Sequence, residues 1–104
     1  ELTLLLAGKG IDLIVTGRNQ TELKKLEETL SPAVSVMAIA ADLNTTEGRR
    51  RIVAAIHEKC PDLLINNAGF GYVGNALTYP TEEQLAVLDV NCKALLEFTL
   101  EGAR

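Results

Sequence analysis

Tryptophan is absent from the 104-residue chain, and aromatic residues make up only 4% of it against 47% hydrophobic residues. A balance so dependent on Leu, Ile, Val and Ala fits helices packed on a parallel sheet. Cysteine is scarce: Cys60 and Cys92 stand far apart, in neither metal-ligand nor redox spacing, and read as ordinary thiols of a reducing compartment. Excess positive charge is missing too. The net charge of −4 argues against general affinity for nucleic acid or for an acidic membrane surface. No long apolar run occurs; Leu2–Ala7 is short, follows Glu1 and has no basic flank, so it is neither a signal peptide nor a membrane span. Repeats, low-complexity tracts and linkers are lacking, so the length allows one domain at most. The expectation is a cytoplasmic α/β protein without a nucleic-acid or membrane partner.

What is present alternates in period. Glu1 to Gly10 reads as the last turns of a helix closed by Gly10 in a left-handed conformation, followed by a buried strand at Asp12–Thr16. Asn19 with Glu22 three residues on is a helix start, with Leu23, Leu26 and Leu30 on one face and Ser31-Pro32 as the stop. Val34 to Ala41 is again strand-like. Asn44 and Glu47 repeat the helix-start spacing, and Ile52, Val53, Ile56 and Cys60 line the inner face of the helix that follows. Leu63-Leu64-Ile65 then reads as a short strand buried on both faces. After a loop to Pro80, Thr81 and Gln84 open a last helix from about Glu82 towards Glu101. That helix is apolar on two sides, with Leu85, Leu88, Cys92, Leu95 and Leu96 on one and Val87, Val90, Ala94 and Phe98 on the other, which suits a subunit interface. The order predicts right-handed parallel crossovers.

The informative point is the end of the Leu63–Ile65 run, where Asn66-Asn67-Ala68-Gly69 stops it abruptly. Two amides at the end of an apolar strand must both find hydrogen bonds, and strand ends are where open α/β sheets bind ligands. A literal G-x-G-x-x-G follows at Gly69, Gly71 and Gly74, but the dinucleotide fingerprint needs a helix opening at its third glycine, and Pro80 forbids one through that point. Arg49-Arg50-Arg51 steps around a helix and reads as a solvated face; His57 has no acid or nucleophile at catalytic spacing and reads as a surface residue.

Asn-Asn-Ala-Gly after an aliphatic strand, with Asn91 at the matching distance, resembles the short-chain dehydrogenase/reductase family over the whole chain. The resemblance implies a Rossmann-like doubly wound parallel sheet in three α/β/α layers, here incomplete. Its first strand and glycine-rich phosphate turn would precede Glu1, and its catalytic Ser and Tyr-x-x-x-Lys would follow Arg104; Tyr72 and Tyr79, with Ala76 and Glu83 four residues on, cannot stand in for that pair. It implies cofactor contacts at Asp42 and Leu43 for the adenine, and at Asn66, Ala68 and Gly69 for the ribose and neighbouring backbone. Asn67 would be a sheet-stabilising amide, and Asn91 would be a member of the catalytic tetrad. Where a carboxylate would hold the ribose of NAD, this chain has Gly17 and Arg18, and an arginine can pair with a 2′-phosphate. The implied protein is an NADP-dependent rather than NAD-dependent oxidoreductase, acting on a carbonyl or alcohol substrate and assembling as a homo-oligomer through the final helix. The alternative is a non-catalytic NADP-sensing module that lacks the Tyr-Lys pair.

Overall fold

The computed structural model describes residues Glu1–Arg104, which divide into two compact units, Glu1–Asp42 and Leu43–Arg104. The first unit is α-β-α-β. Helix α1 (Leu2–Gly8) ends as expected on Gly10 at φ +77°, a conformation that costs glycine little. Strand β1 (Leu13–Gly17) and strand β2 (Val36–Ala40) pair in parallel, from Leu13 opposite Val36 to Gly17 opposite Ala40. Helix α2 (Gln20–Leu30) makes the crossover between them. The Asn19 side chain accepts from the Glu22 N–H at 3.1 Å, a cap worth about 1 kcal/mol. Ala7, Leu30, Val34 and Val36 form this unit's core, with Leu13, Val15 and Leu26 packed against it.

The second unit is helical. Helix α3 (Thr46–Lys59) is capped by Thr45, whose hydroxyl accepts from the Gly48 N–H at 2.9 Å, and not by Asn44. Both residues stand three before a plausible N–H, so the spacing alone does not separate them. Ile52 and Ile56 are buried as the helical period requires, but Cys60 is exposed: it is the left-handed C-terminal residue of the helix at φ 45°. Arg49 departs furthest from expectation. It is 4% exposed, while Arg50 and Arg51 remain on the surface.

Leu63-Leu64-Ile65 forms no strand and is not buried; the three side chains are 68%, 36% and 44% exposed. A strand exists by its ladder, and the sheet of this chain consists of β1 and β2 alone, so nothing pairs with the run. The segment lies instead along the final helical tract. A Cβ on Gly102 would stand 3.0 Å from Leu64 Cδ2, Asn66 Nδ2 donates to Thr99 Oγ1 at 3.1 Å, and the Phe70 N–H donates to Asn91 Oδ1 at 3.0 Å. Rising residue numbers on one partner meet falling numbers on the other, so the two run antiparallel.

The final helix runs unbroken over the expected stretch, but one of its turns is widened. It comprises α4 (Thr81–Leu88), a π-helical turn (Asp89–Ala94) and α5 (Leu95–Ala103). Its N-cap is Pro80, without a side-chain cap, and Gln84 Nε2 donates instead to the carbonyls of Ala76 and Tyr79 at 2.9 and 3.0 Å. Helices α3 and α5 pack together, and Ala94 and Phe98 are 1% and 4% exposed. Phe98 therefore belongs to the unit's core and not to an outer face. No helix is long and apolar enough to cross a membrane.

Candidate functional site

Register alone places the two strand ends of the first unit side by side. Gly17 lies opposite Ala40, and the Gly17 carbonyl accepts from the Ala41 N–H at 2.9 Å. Arg18 and Asp42 follow immediately, so a cation and a carboxylate leave the same end of the parallel pair, both exposed. Carboxyl ends of parallel strands are the ligand-binding edge of open α/β sheets. Gly17 packs on Leu23, with a Cβ there coming 3.7 Å from Leu23 Cδ2, so α2 sits close behind this edge.

In the second unit the site is built around Asn91. Its side-chain amide holds both backbone groups of Phe70, accepting from the N–H at 3.0 Å and donating to the C=O at 2.7 Å. Gly69 lies so close that a Cβ would meet Asn91 Oδ1 at 3.1 Å. That approach explains a glycine here, since the position lacks a positive φ. Asn91 sits in the π-helical turn, and such turns recur where a helix carries function. Asn66 is exposed and tied by its Nδ2 to Thr99, which in turn donates to the Leu95 carbonyl at 2.7 Å. The structure thus brings Asn66 and Gly69 onto the helical tract that carries Asn91, with the exposed Ala68 between them in the chain. Leu43, the remaining expected contact, is buried at 8%, and its carbonyl accepts from Arg49 NH1 at 2.9 Å.

The loop beyond Gly69 opens no helix at Gly74, which has φ +119°; a short 3-10 turn (Ala76–Thr78) comes first. Phe70 and Tyr72 meet edge to face with centroids 5.9 Å apart, Tyr72 and Tyr79 lie 4.6 Å apart, and Tyr79 Oη donates to the Val73 carbonyl at 2.8 Å. Tyr72, Tyr79, Gln84 and Val87 line a shallow cleft of about 200 Å³. Sequence reasoning did not single this cluster out, although three of the four aromatic residues fall between positions 70 and 79. Two charged pairs lie near the end of α3. Exposed His57 Nε2 lies 2.8 Å from Glu101 Oε2, and the hydrogen bond and charge of Lys59 hold the Glu58 carboxyl below the usual carboxylate range.

Comparison with known proteins extends over the same residues. The family model for short chain dehydrogenase matches residues 1–104. A very-long-chain 3-oxoacyl-CoA reductase of Phaeosphaeria nodorum is 31% identical over 108 residues, covering 95% of this chain and 31% of the relative. Among solved structures, the bulky-bulky ketone specific alcohol dehydrogenase of Comamonas testosteroni superposes with a TM-score of 0.90 at 22% identity, over 98% of this chain and 43% of that one. A short-chain dehydrogenase of Sphingobium yanoikuyae, solved in complex with NADPH, gives a TM-score of 0.79 at 26% identity, over 95% and 40%. The chain spans under half the length of each. Family match and Rossmann-like fold agree with the Asn-Asn-Ala-Gly segment and its Asn91 partner: this chain belongs to the short-chain dehydrogenase/reductase family.

Proposed function

We propose that the protein carrying this chain is an NADP-dependent oxidoreductase that passes a hydride between nicotinamide and a carbonyl or alcohol substrate. The observation that carries this reading is the two-point hold of Asn91 on Phe70, directly after Asn66-Asn67-Ala68-Gly69. It is supported by a curated relative named as a reductase and by a 26% identical structure solved with NADPH.

The residues present suit the cofactor. Gly69 keeps the backbone bare where a side chain would collide with Asn91, and Arg18 stands exposed at the end of β1, where that strand itself carries no carboxylate. When bound, NADPH supplies the hydride, and the protein's part is to bind and orient it. Arg18 would pair with the 2′-phosphate, Asp42 would accept from the adenine amino group, and Leu43 would lie beside the ring. Asn66, its Nδ2 held by Thr99, would offer its oxygen to a ribose hydroxyl. Ala68 and Gly69 would line the backbone approach, and Asn91 would fix the turn beside the reacting end.

Arg18→Ala is expected to weaken NADPH by about 1.5–3 kcal/mol, the worth of a charge-assisted hydrogen bond, and to leave NADH nearly unchanged. Calorimetric titration of the whole protein with both cofactors checks this. Equal losses for the two would contradict it.

The same reading makes the protein a homo-oligomer through the final helical tract, where Leu85, Leu88, Leu95, Leu96 and Leu100 are 45–58% exposed. These leucines, and not the buried Phe98, are the residues to change. Leu88→Glu with Leu96→Glu should shift the protein towards monomer in light scattering; an unchanged mass would remove the interface from this face.

A further inference from the structure

Arg49 carries a charge of the wrong sign for its place and lies in the wrong medium for a cation. It is the fourth residue of α3, where a positive charge opposes the helix dipole, and it is 4% exposed. Burying an ion costs several kcal/mol unless its partners are well placed, and an apolar side chain of similar volume is often the more stable choice. Stability alone therefore gives little reason for an arginine here. Its contacts give a better one. NH1 donates to the Leu43 carbonyl at 2.9 Å, Nε to Glu97 Oε2 at 3.0 Å, and NH2 approaches Thr46 Oγ1 at 3.4 Å. The planar fork of the guanidinium joins a backbone carbonyl and a carboxylate in one rigid unit, which a lysine cannot do. Leu43 opens the turn that leads into α3, and Glu97 is on α5, continuous with the π-helical turn that carries Asn91.

We propose that Arg49, clamped by Glu97, is a positioning residue for the adenine end of the dinucleotide: it fixes the backbone of Leu43 against the helical tract that carries Asn91. The inference rests on the NADP reading above and adds to it a residue that never touches the cofactor. Its signature is confined to the adenosine half of the ligand. Reduced nicotinamide mononucleotide lacks that half and should not sense the brace.

The test uses the whole protein with NADPH and with reduced nicotinamide mononucleotide as alternative hydride donors. Arg49→Met is expected to lower kcat/KM for NADPH about ten-fold, almost all of it in KM, the equivalent of one ordinary hydrogen bond's worth of lost positioning. With the mononucleotide the change should stay within about two-fold. Arg49→Lys, which can reach the carbonyl or the carboxylate but not bridge both, should lose about three-fold with NADPH alone, and it serves if Arg49→Met does not fold. Arg50→Met, on the exposed neighbour, should behave as wild type. Equal losses with both donors would make Arg49 a merely structural residue and overturn the proposal, as would NADPH kinetics that do not respond to either substitution. Wild-type protein without NADPH-dependent turnover would instead overturn the oxidoreductase reading, and this inference with it.

Discussion

Replacing Asn91 by Leu in the whole protein is expected to lower kcat/KM about a hundred-fold or more, with far-ultraviolet circular dichroism unchanged. Leucine branches at the same carbon with the same number of side-chain heavy atoms, but its methyl groups can neither accept from the Phe70 N–H nor donate to its C=O, bonds of 3.0 and 2.7 Å in the structure. Each backbone group left without a partner costs about 1–3 kcal/mol, so the turn after Gly69 would leave its present place to find water. A hundred-fold rate loss corresponds to about 2.7 kcal/mol, within reach of that displacement alone. Asn91→Asp provides the graded case. It still accepts from Phe70 N–H but loses the donor, and should fall between wild type and leucine. Steady-state kinetics on the three proteins decide it. A leucine variant within about three-fold of wild type would show that the hold on Phe70 is packing and not function.

The second large effect is on stability. Phe98→Ala should cost about 3–5 kcal/mol, because it empties a buried aromatic position on one of two packed helices. Phe98 is 4% exposed, and α3 and α5 are the helices it serves. Urea unfolding should show the midpoint falling with an unchanged slope. A loss below about 1 kcal/mol would mean that the site collapses around the cavity or that the two helices are held elsewhere. Leu96→Ala, at 58% exposed on the same helix, supplies the contrast and should change stability little in the isolated subunit.

Local signals carried most of what was legible in advance. The Asn19 cap, the left-handed Gly10 and the Leu23, Leu26 and Leu30 face each depend on residues within one or two turns, and the structure has all of them. Arg18 and Asp42 were placed at strand ends by the same short-range reasoning, and the parallel register sets those ends next to each other. What eluded the sequence depends on distant partners. Leu63–Ile65 has the composition of a strand, but a ladder needs a neighbour, and none of this chain's strands pairs with it. Arg49 stands in a run of three arginines and looks solvated until Glu97, 48 residues on, supplies its counter-charge. Phe98 shares a helical stripe with residues that stay half-exposed, and only the packing of α3 decides which of them is enclosed. The π-helical turn at Asp89–Ala94 leaves no mark in the apolar period, because one widened turn shifts the faces by less than the width of the stripe.

Isotope transfer reads the proposed hydride transfer from NADPH at the reacting atoms themselves. The whole protein is incubated with NADPH deuterated at the transferable position and a panel of ketones and aldehydes, and the alcohols formed are analysed by mass spectrometry. Hydride transfer puts deuterium on the carbinol carbon of at least one product, and the Asn91→Leu protein should transfer it much more slowly. Tight NADPH binding without deuterium in any product would contradict hydride transfer and leave a nucleotide-sensing module in its place.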